Sequence, residues 1–226
     1  MARPRSDIRP RIVDAARARF LAAGVDGASL REIARDAGTN IGMIVYYFPT
    51  KDDLFLAVVE DVYEGIVRDL ELSLGADATT RERLRRAVVR LGAVDDRELE
   101  VIRLLAREVL LSSTRFERVL ARFRRGHLAL FVAAVADGVR RGEFDSSVPM
   151  PLLVLAVIGL GGVPQLIRRA AGELPPFDSL PGPEDLADAT IDLLVRAVGA
   201  AKAGARPRKT ARTSVAQPRA RTTKTR

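Results

Sequence analysis

Hydrophobic and polar positions alternate at helical spacing along most of the chain. Ile12, Val13, Ala16, Phe20 and Leu21 recur every three or four residues and predict a helix from Pro10 that ends at Gly24. Ser29, with Glu32 three residues on, has the form of a capping box. Leu30, Ile33, Ala34 and Ala37 then mark a helix of about two turns that Gly38 stops. The next stretch, GTNIGMIVYYFP (38–49), departs from the pattern. From Ile41 to Phe48 it holds no charge, and its β-branched and aromatic side chains are those of a buried strand. Helical spacing returns at Thr50, an N-cap candidate, and runs through Leu54, Phe55, Val58, Val62, Ile66 and Leu70 to about Leu74. Further helices are expected near 79–93, 95–112 and 115–141. A loop over 142–151, an apolar helix near 149–171, a Pro-rich break over 173–183 and an amphipathic helix near 184–200 follow. No repeat appears and nothing demands a sheet, so the fold expected is all-α.

The ambiguous stretch lies where a helix–turn–helix would put its second helix. Such a unit needs a small residue where the helices cross, a glycine in the turn and an apolar anchor. Ala34, Gly38 and Ile44 supply them. No partner strand is visible for residues 39–48. Wound as a helix at about 100° per residue with Ile44 inward, Asn40, Ile41, Tyr47 and Phe48 fall within about 60° of the core side. Gly42, Met43, Val45 and Tyr46 then face outward, an unusual surface for a solvated helix unless it meets a partner.

Composition narrows the chemistry. Hydrophobic residues make up 47% of the 226 residues, enough for a core, and the scarcity of aromatics (5%) favours helices. There is no cysteine and one histidine, His127, which excludes thiol chemistry and leaves little for a triad or a multi-histidine metal site. No nucleophile–base pair or phosphate loop is present, so an enzyme is not expected, nor a cofactor or metal. The N-terminal MARPRSDIRPR has no apolar run to make it a signal peptide, and the expected setting is the cytoplasm.

The net charge of +8 is unevenly placed. Residues 202–226 hold nine Lys or Arg and no acid; residues 1–51 hold nine basic and five acidic residues; the body between them is acidic. Two basic ends suggest a polyanion as partner. The expected organisation is a flexible basic arm (1–9), a helix–turn–helix domain (10–51), a larger helical domain (52–201) and a disordered basic tail (202–226). Arg3, Arg5 and Arg9 of the arm are suited to a minor groove, and the tail to non-specific phosphate contact. The uncharged run 146–167 raises a membrane span, but its prolines and glycines and its one-sided charges fit a helix buried on all sides, in a core or subunit interface.

The run IVDAARARFLAAGVDGASLREIARDAGTNIGMIVYYFPTKDDLFLAVVE resembles the N-terminal DNA-binding domain of the TetR family of bacterial transcriptional regulators. Its most specific pieces are AARARF, GVDGASLREIARDAG and the ending YYFPTK before DDLF. The resemblance covers residues 10–60; the remainder matches only in its succession of helices. It implies a homodimeric, all-α regulator, expected to be a repressor, on a palindromic double-stranded operator, with a small-molecule effector in the C-terminal domain. By matched position Ser29 caps the second helix and touches a phosphate, and Arg31 reaches a base edge. Thr39 and Asn40 begin the recognition helix, and Tyr46, Tyr47 and Lys51 contact phosphates. Many family members carry Lys or Gln at Ile41, Ser or Thr at Met43 and Tyr at Val45. Here those three are apolar, which leaves two readings: contact with thymine methyls, or packing within the domain while Arg31 and DNA shape give specificity.

Beyond this unit the signals are weaker. His127 shares a stripe with Phe116, Leu120, Phe123, Phe131 and Ala134 along the helix expected over 115–141, and is either a ligand contact or a core histidine satisfied by a neighbour. Phe116, Phe123 and His127 are the pocket candidates, since in the family this helix lines the effector site. The arginines of 81–90 and 115–125 read as solvated faces with i,i+4 pairs. The helices near 149–171 and 184–200 are expected to pair with a twin subunit as a four-helix bundle. The alternative function is a sequence-indifferent DNA-organising protein.

Overall fold

The computed structural model describes residues 8–75 and 77–199; the readings of Arg3, Arg5 and the tail fall outside them. The described chain is a succession of helices joined by short loops, as expected. Helix α1 (Ile8–Gly27) starts two residues earlier than the periodicity indicated, so Ile8 and Arg9 are helical rather than part of an arm. Arg9 sets its guanidinium 5.4 Å from the centre of the Phe48 ring. At Gly24 (φ 77, ψ 167) α1 kinks, where the sequence placed its end. Helices α2 (Leu30–Asp36) and α3 (Ile41–Tyr47) follow.

Helix α4 (Lys51–Gly75) is the long strut of the molecule, about 37 Å at 1.5 Å per residue. It opens on a reciprocal cap: the Asp53 N–H donates to Thr50 Oγ1 (3.1 Å) and the Thr50 N–H to Asp53 Oδ2 (3.0 Å). Leu54, Phe55, Val58, Val62, Ile66 and Leu70 form its buried face, as the periodicity required. It packs against α1 at one end and against α5 (Thr80–Gly92), α6 (Asp96–Leu111) and α8 (His127–Arg140) beyond it. One hydrophobic core runs from Ile12, Phe20 and Ile44 through Phe55 to Leu84, Leu104 and Leu153.

The helix expected over 115–141 is two helices, α7 (Ser113–Arg125) and α8, broken at Gly126. Gly126 sits at φ −111, ψ −122, and the Tyr63 hydroxyl occupies the space a β-carbon would take. That hydroxyl accepts the His127 N–H (3.1 Å) and so caps the start of α8. The apolar pattern alone runs through the break without a sign of it.

The apolar helix near 149–171 is α9 (Met150–Ala156), a π-helical turn (Val157–Gly162) and α10 (Val163–Ala171) in continuous succession. Its buried residues Leu153, Val157, Gly161 and Gln165 are four apart, a spacing that drifts around an α-helix. The wider turn removes most of that drift and keeps all four against the body. Gly161 is needed there, because a β-carbon would stand 2.6 Å from Val88 of α5. Within one chain only one side of this helix is buried: Leu152, Leu155, Leu160 and Val163 are exposed, so the core of a single chain does not cover it on all sides. This is the one described stretch long and apolar enough to cross a membrane, and its buried face is spent on α5, α8 and α11 (Pro183–Val198).

The arginines of α5 and α7 also depart from expectation. Arg86–Glu82 is an i,i+4 pair, but most of the others tie separate helices together. Arg83 reaches Asp137 (2.5 Å), Arg85 reaches Asp188 (2.7 Å), and Arg90 bridges Asp69 (2.6 Å) and Glu98 (2.5 Å). Arg115, Arg118 and Arg122 reach back to α4 or the end of α1. Their partners lie too far along the chain for a helical wheel to reveal them.

Candidate nucleic-acid interface

Helices α2 and α3 are short, and their attachment to α1 fixes the interface. Ile33 and Ala34 of α2 and Ile44 of α3 are buried, and Phe48 closes the unit behind Ile44. The turn between them depends on Gly38 at φ 61, a conformation that side-chain-bearing residues rarely adopt. Arg11 of α1 crosses the turn and donates to the carbonyls of Ala37 and Gly38, which satisfies acceptors at the end of α2. Arg19, also on α1, pairs with Asp36 (2.6 Å) and Glu32 (3.4 Å). Glu32 is thereby drawn toward α1. Ser29 sits at the N-cap position with extended backbone, yet its hydroxyl makes no cap hydrogen bond, so the expected capping box does not form.

The start of α3 is also shifted. Thr39 and Asn40 precede the helix rather than belong to it; Asn40 is the cap, its Oδ1 accepting the Met43 N–H at 3.0 Å. With Ile41 as the first helical residue, its side chain leans off the N-terminal end of α3 and away from the core. Ile41 is 37% exposed, against the wheel's placement near the core side, while Val45 (46%) and Tyr46 (76%) face outward as expected. Gly42 is exposed, and Met43 and Tyr47 are half-buried. The Tyr46 and Tyr47 rings meet edge to face at 5.1 Å.

The polar candidates are placed as follows. Arg31 is exposed on α2 and joins no hydrogen bond or ion pair among the described residues. Ser29 and Thr39 are half-buried beside α2 and α3. Lys51 donates to the Asp26 carbonyl (2.9 Å), which spends one of its three ammonium hydrogens and steadies it beside Thr50. Arg31, Asn40, Ile41, Gly42, Val45 and Tyr46 are thus all exposed on the packed pair α2 and α3 and the turn between them.

Sequence reasoning missed the cluster that joins this unit to the body. Glu108 of α6 is buried, as is Arg115 of α7, and Arg115 Nη1 is 2.7 Å from Glu108 Oε2. The same guanidinium holds Asp26, in the last turn of α1 beyond the Gly24 kink, and Asp52 (2.9 Å) at the start of α4. Glu108 Oε1 also accepts the Val25 N–H at 3.3 Å. The hydrogen bond with Asp26 leads in holding the guanidinium cationic, above the ordinary arginine range, and that bond lowers the Asp26 carboxyl in turn. Thr50 and then Arg118 hold Asp53 low as well. The signal in the sequence was a lone acid, Glu108, inside the apolar run of α6.

The pocket candidates divide. Phe116 and Phe123 line an apolar groove of about 210 Å³ between α6 and α7, with Ile102, Leu105, Val109 and Val119. His127 lies behind it, its ring 4.5 Å from that of Phe123. Its Nδ1 is 2.7 Å from the Tyr63 hydroxyl. That oxygen accepts the His127 backbone N–H and keeps its own hydrogen available for Nδ1, the pairing that a neutral Nε2–H imidazole completes. Burial, reinforced by the Arg122 charge, pushes the imidazole down to about 4.

Comparison with known proteins agrees with this geometry. A family model described as "Bacterial regulatory proteins, tetR family" matches residues 12–58. The chain is 31% identical over 175 residues to the HTH-type transcriptional repressor SCO4008 of Streptomyces coelicolor, covering 76% of this chain and 87% of that one. It is 28% identical over 166 residues to the probable HTH-type transcriptional regulator YttP of Bacillus subtilis, covering 73% and 80%. The fold matches that of the transcriptional regulator FadR from Bacillus subtilis in complex with stearoyl-CoA, with a TM-score of 0.65 and 20% identity over 82% of this chain and 97% of that one.

Proposed function

The chain belongs to the tetR family of bacterial regulatory proteins and is a DNA-binding transcriptional regulator; on that premise we propose that it is a ligand-responsive repressor acting as a homodimer on a palindromic operator. The observation that carries this reading is the exposed face of α2 and α3. It is mounted on α1 and combines the exposed guanidinium of Arg31, unpaired among the described residues, with the outward side chains of α3. In this reading Arg31 forks to a guanine. Ser29, Thr39, Tyr46, Tyr47 and Lys51 position the unit on phosphates. Residues 10–51 form the DNA-reading domain and 52–201 the ligand-binding and dimerisation domain.

Dimerisation draws support from Leu152, Leu155, Leu160 and Val163, with Leu193 on α11, which together leave an apolar face uncovered on one chain. A twin packed there would place two α3 helices in successive major grooves, roughly 34–36 Å apart. The groove between α6 and α7 is lined by hydrocarbon and suits an apolar effector. Phe116 adjoins Arg115, and Val109 adjoins Glu108, so a ligand that parts α6 from α7 pulls on the cluster holding Asp26 and Asp52. Stearoyl-CoA, the ligand in the FadR structure, is the first compound to try.

The test is a gel shift with the purified full chain on DNA upstream of its own and neighbouring genes. A complex that survives excess random duplex and is released by specific competitor supports the reading. Equal loss to both competitors rejects it in favour of a sequence-indifferent DNA-organising protein.

A further inference from the structure

The recognition face of α3 is short of hydrogen-bonding groups. Asn40 commits its Oδ1 to the Met43 N–H. Gly42 has no side chain, and one there would crowd Asn40, whose Oδ1 would lie 3.1 Å from the new β-carbon. Met43 is half-buried. What α3 presents outward, ahead of Tyr46, is the hydrocarbon of Ile41 and Val45. Neither side chain is needed by the core, since Ile44 and Phe48 anchor the helix and are almost fully buried.

The major groove offers one apolar feature to such side chains, the C5 methyl of thymine. We infer that Ile41 and Val45 are specificity-determining residues that read thymine methyl groups, so that each operator half-site places thymines beneath α3. The spacing supports two contacts. Four residues of α-helix rise about 6 Å, and base pairs stack about 3.4 Å apart. Ile41 and Val45 therefore reach methyls within two base steps of one another. Charge does not compete for these positions: α3 carries none, and the cations of the unit lie on α1, α2 and the start of α4. This inference rests on the reading of α3 as the recognition helix.

The test starts from binding sites selected out of random duplexes with the full chain. Each thymine of the selected half-site is then replaced by deoxyuridine, which removes only the methyl, and affinity is measured by fluorescence anisotropy. The expected result is a loss of about 4-fold per methyl at one or two thymines no more than two steps apart, the value of one buried methyl group. That loss should vanish in Ile41→Ala or Val45→Ala, whose exposed positions leave the fold intact, as an unchanged melting temperature will show. A selected operator indifferent to every deoxyuridine overturns the inference while sparing the reading of α3. So does a deoxyuridine effect that persists undiminished in both variants. A selection that returns no motif overturns the recognition-helix reading and this inference together.

Discussion

Arg115 and Glu108 form an ion pair at 2.7 Å in which both side chains are almost removed from solvent, 6% and 2% exposed. They sit on consecutive helices of the body, yet apart from the Arg107 bond to Glu108 their other side-chain hydrogen bonds go to Val25, Asp26 and Asp52 at the root of the DNA-reading unit. Glu108→Ala should lower the unfolding free energy by about 3 kcal/mol, since it leaves a buried guanidinium short of its partner and the Val25 N–H without an acceptor. Asp26→Asn, at the exposed end of the same cluster, should cost less than about 1 kcal/mol. Urea unfolding of the two variants checks the contrast, and equal losses would dismiss the buried pair as the anchor.

The single histidine gives a pH prediction with a definite sign. Its folded value is about 4 against 6.5 for a free imidazole, so the unfolded chain takes up the proton first as pH falls. The contribution is complete above pH 6.5, fades between 6.5 and 4, and amounts to about 3 kcal/mol. His127→Gln should remove that component from the pH dependence of stability. In the wild type the one imidazole NMR signal should titrate well below pH 6.

Gly38→Ala should destabilise the chain by about 1–2 kcal/mol, because the backbone there is left-handed and the new methyl meets the Arg11 guanidinium. Its effect on operator affinity should exceed its effect on global melting, since the turn aligns α3. Thermal melts and anisotropy on the same variant compare the two.

Arg31→Ala should leave stability unchanged and cost about 1–3 kcal/mol of specific binding, with relaxed preference at one base pair per half-site. Unaltered preference in a repeat selection would remove Arg31 from base reading.

Leu155→Asp puts a charge in the centre of the exposed stripe of α9, at a position 65% exposed in a single chain. It should yield a folded monomer with operator affinity reduced at least 100-fold, as expected when two half-sites are no longer bound by one particle. Sedimentation velocity distinguishes this from unfolding.

Local rules carried the sequence reading a long way through the DNA-reading unit. The glycine at 38, the anchor at Ile44 and the cap at Thr50 were legible because each is determined within a few residues of chain. Legibility failed where a distant side chain intervened. Glu32 left Ser29 for Arg19, Tyr63 ended a helix at Gly126, and Arg83, Arg90 and Arg115 found carboxylates on other helices. Ile41 was misjudged for a smaller reason: it opens α3, and an angular wheel ignores the lean of side chains toward the helix start. In the pocket region the stripe correctly brought Phe116 and Phe123 together but could not see that Tyr63 holds His127.

The π-helical turn at Val157–Gly162 works as a phase setting between two halves of one rod. Losing a residue from it would turn α10 by about 100° relative to α9. Gln165 would leave the Pro183 carbonyl that it now reaches at 2.6 Å. Leu160 and Val163 would swing out of line with Leu152 and Leu155. In the proposed homodimer the same error would occur on both partners at once, so the mismatch would double at the seam while each subunit keeps its helices. A length change in this turn would thus alter which copies can pair before it alters whether one copy folds.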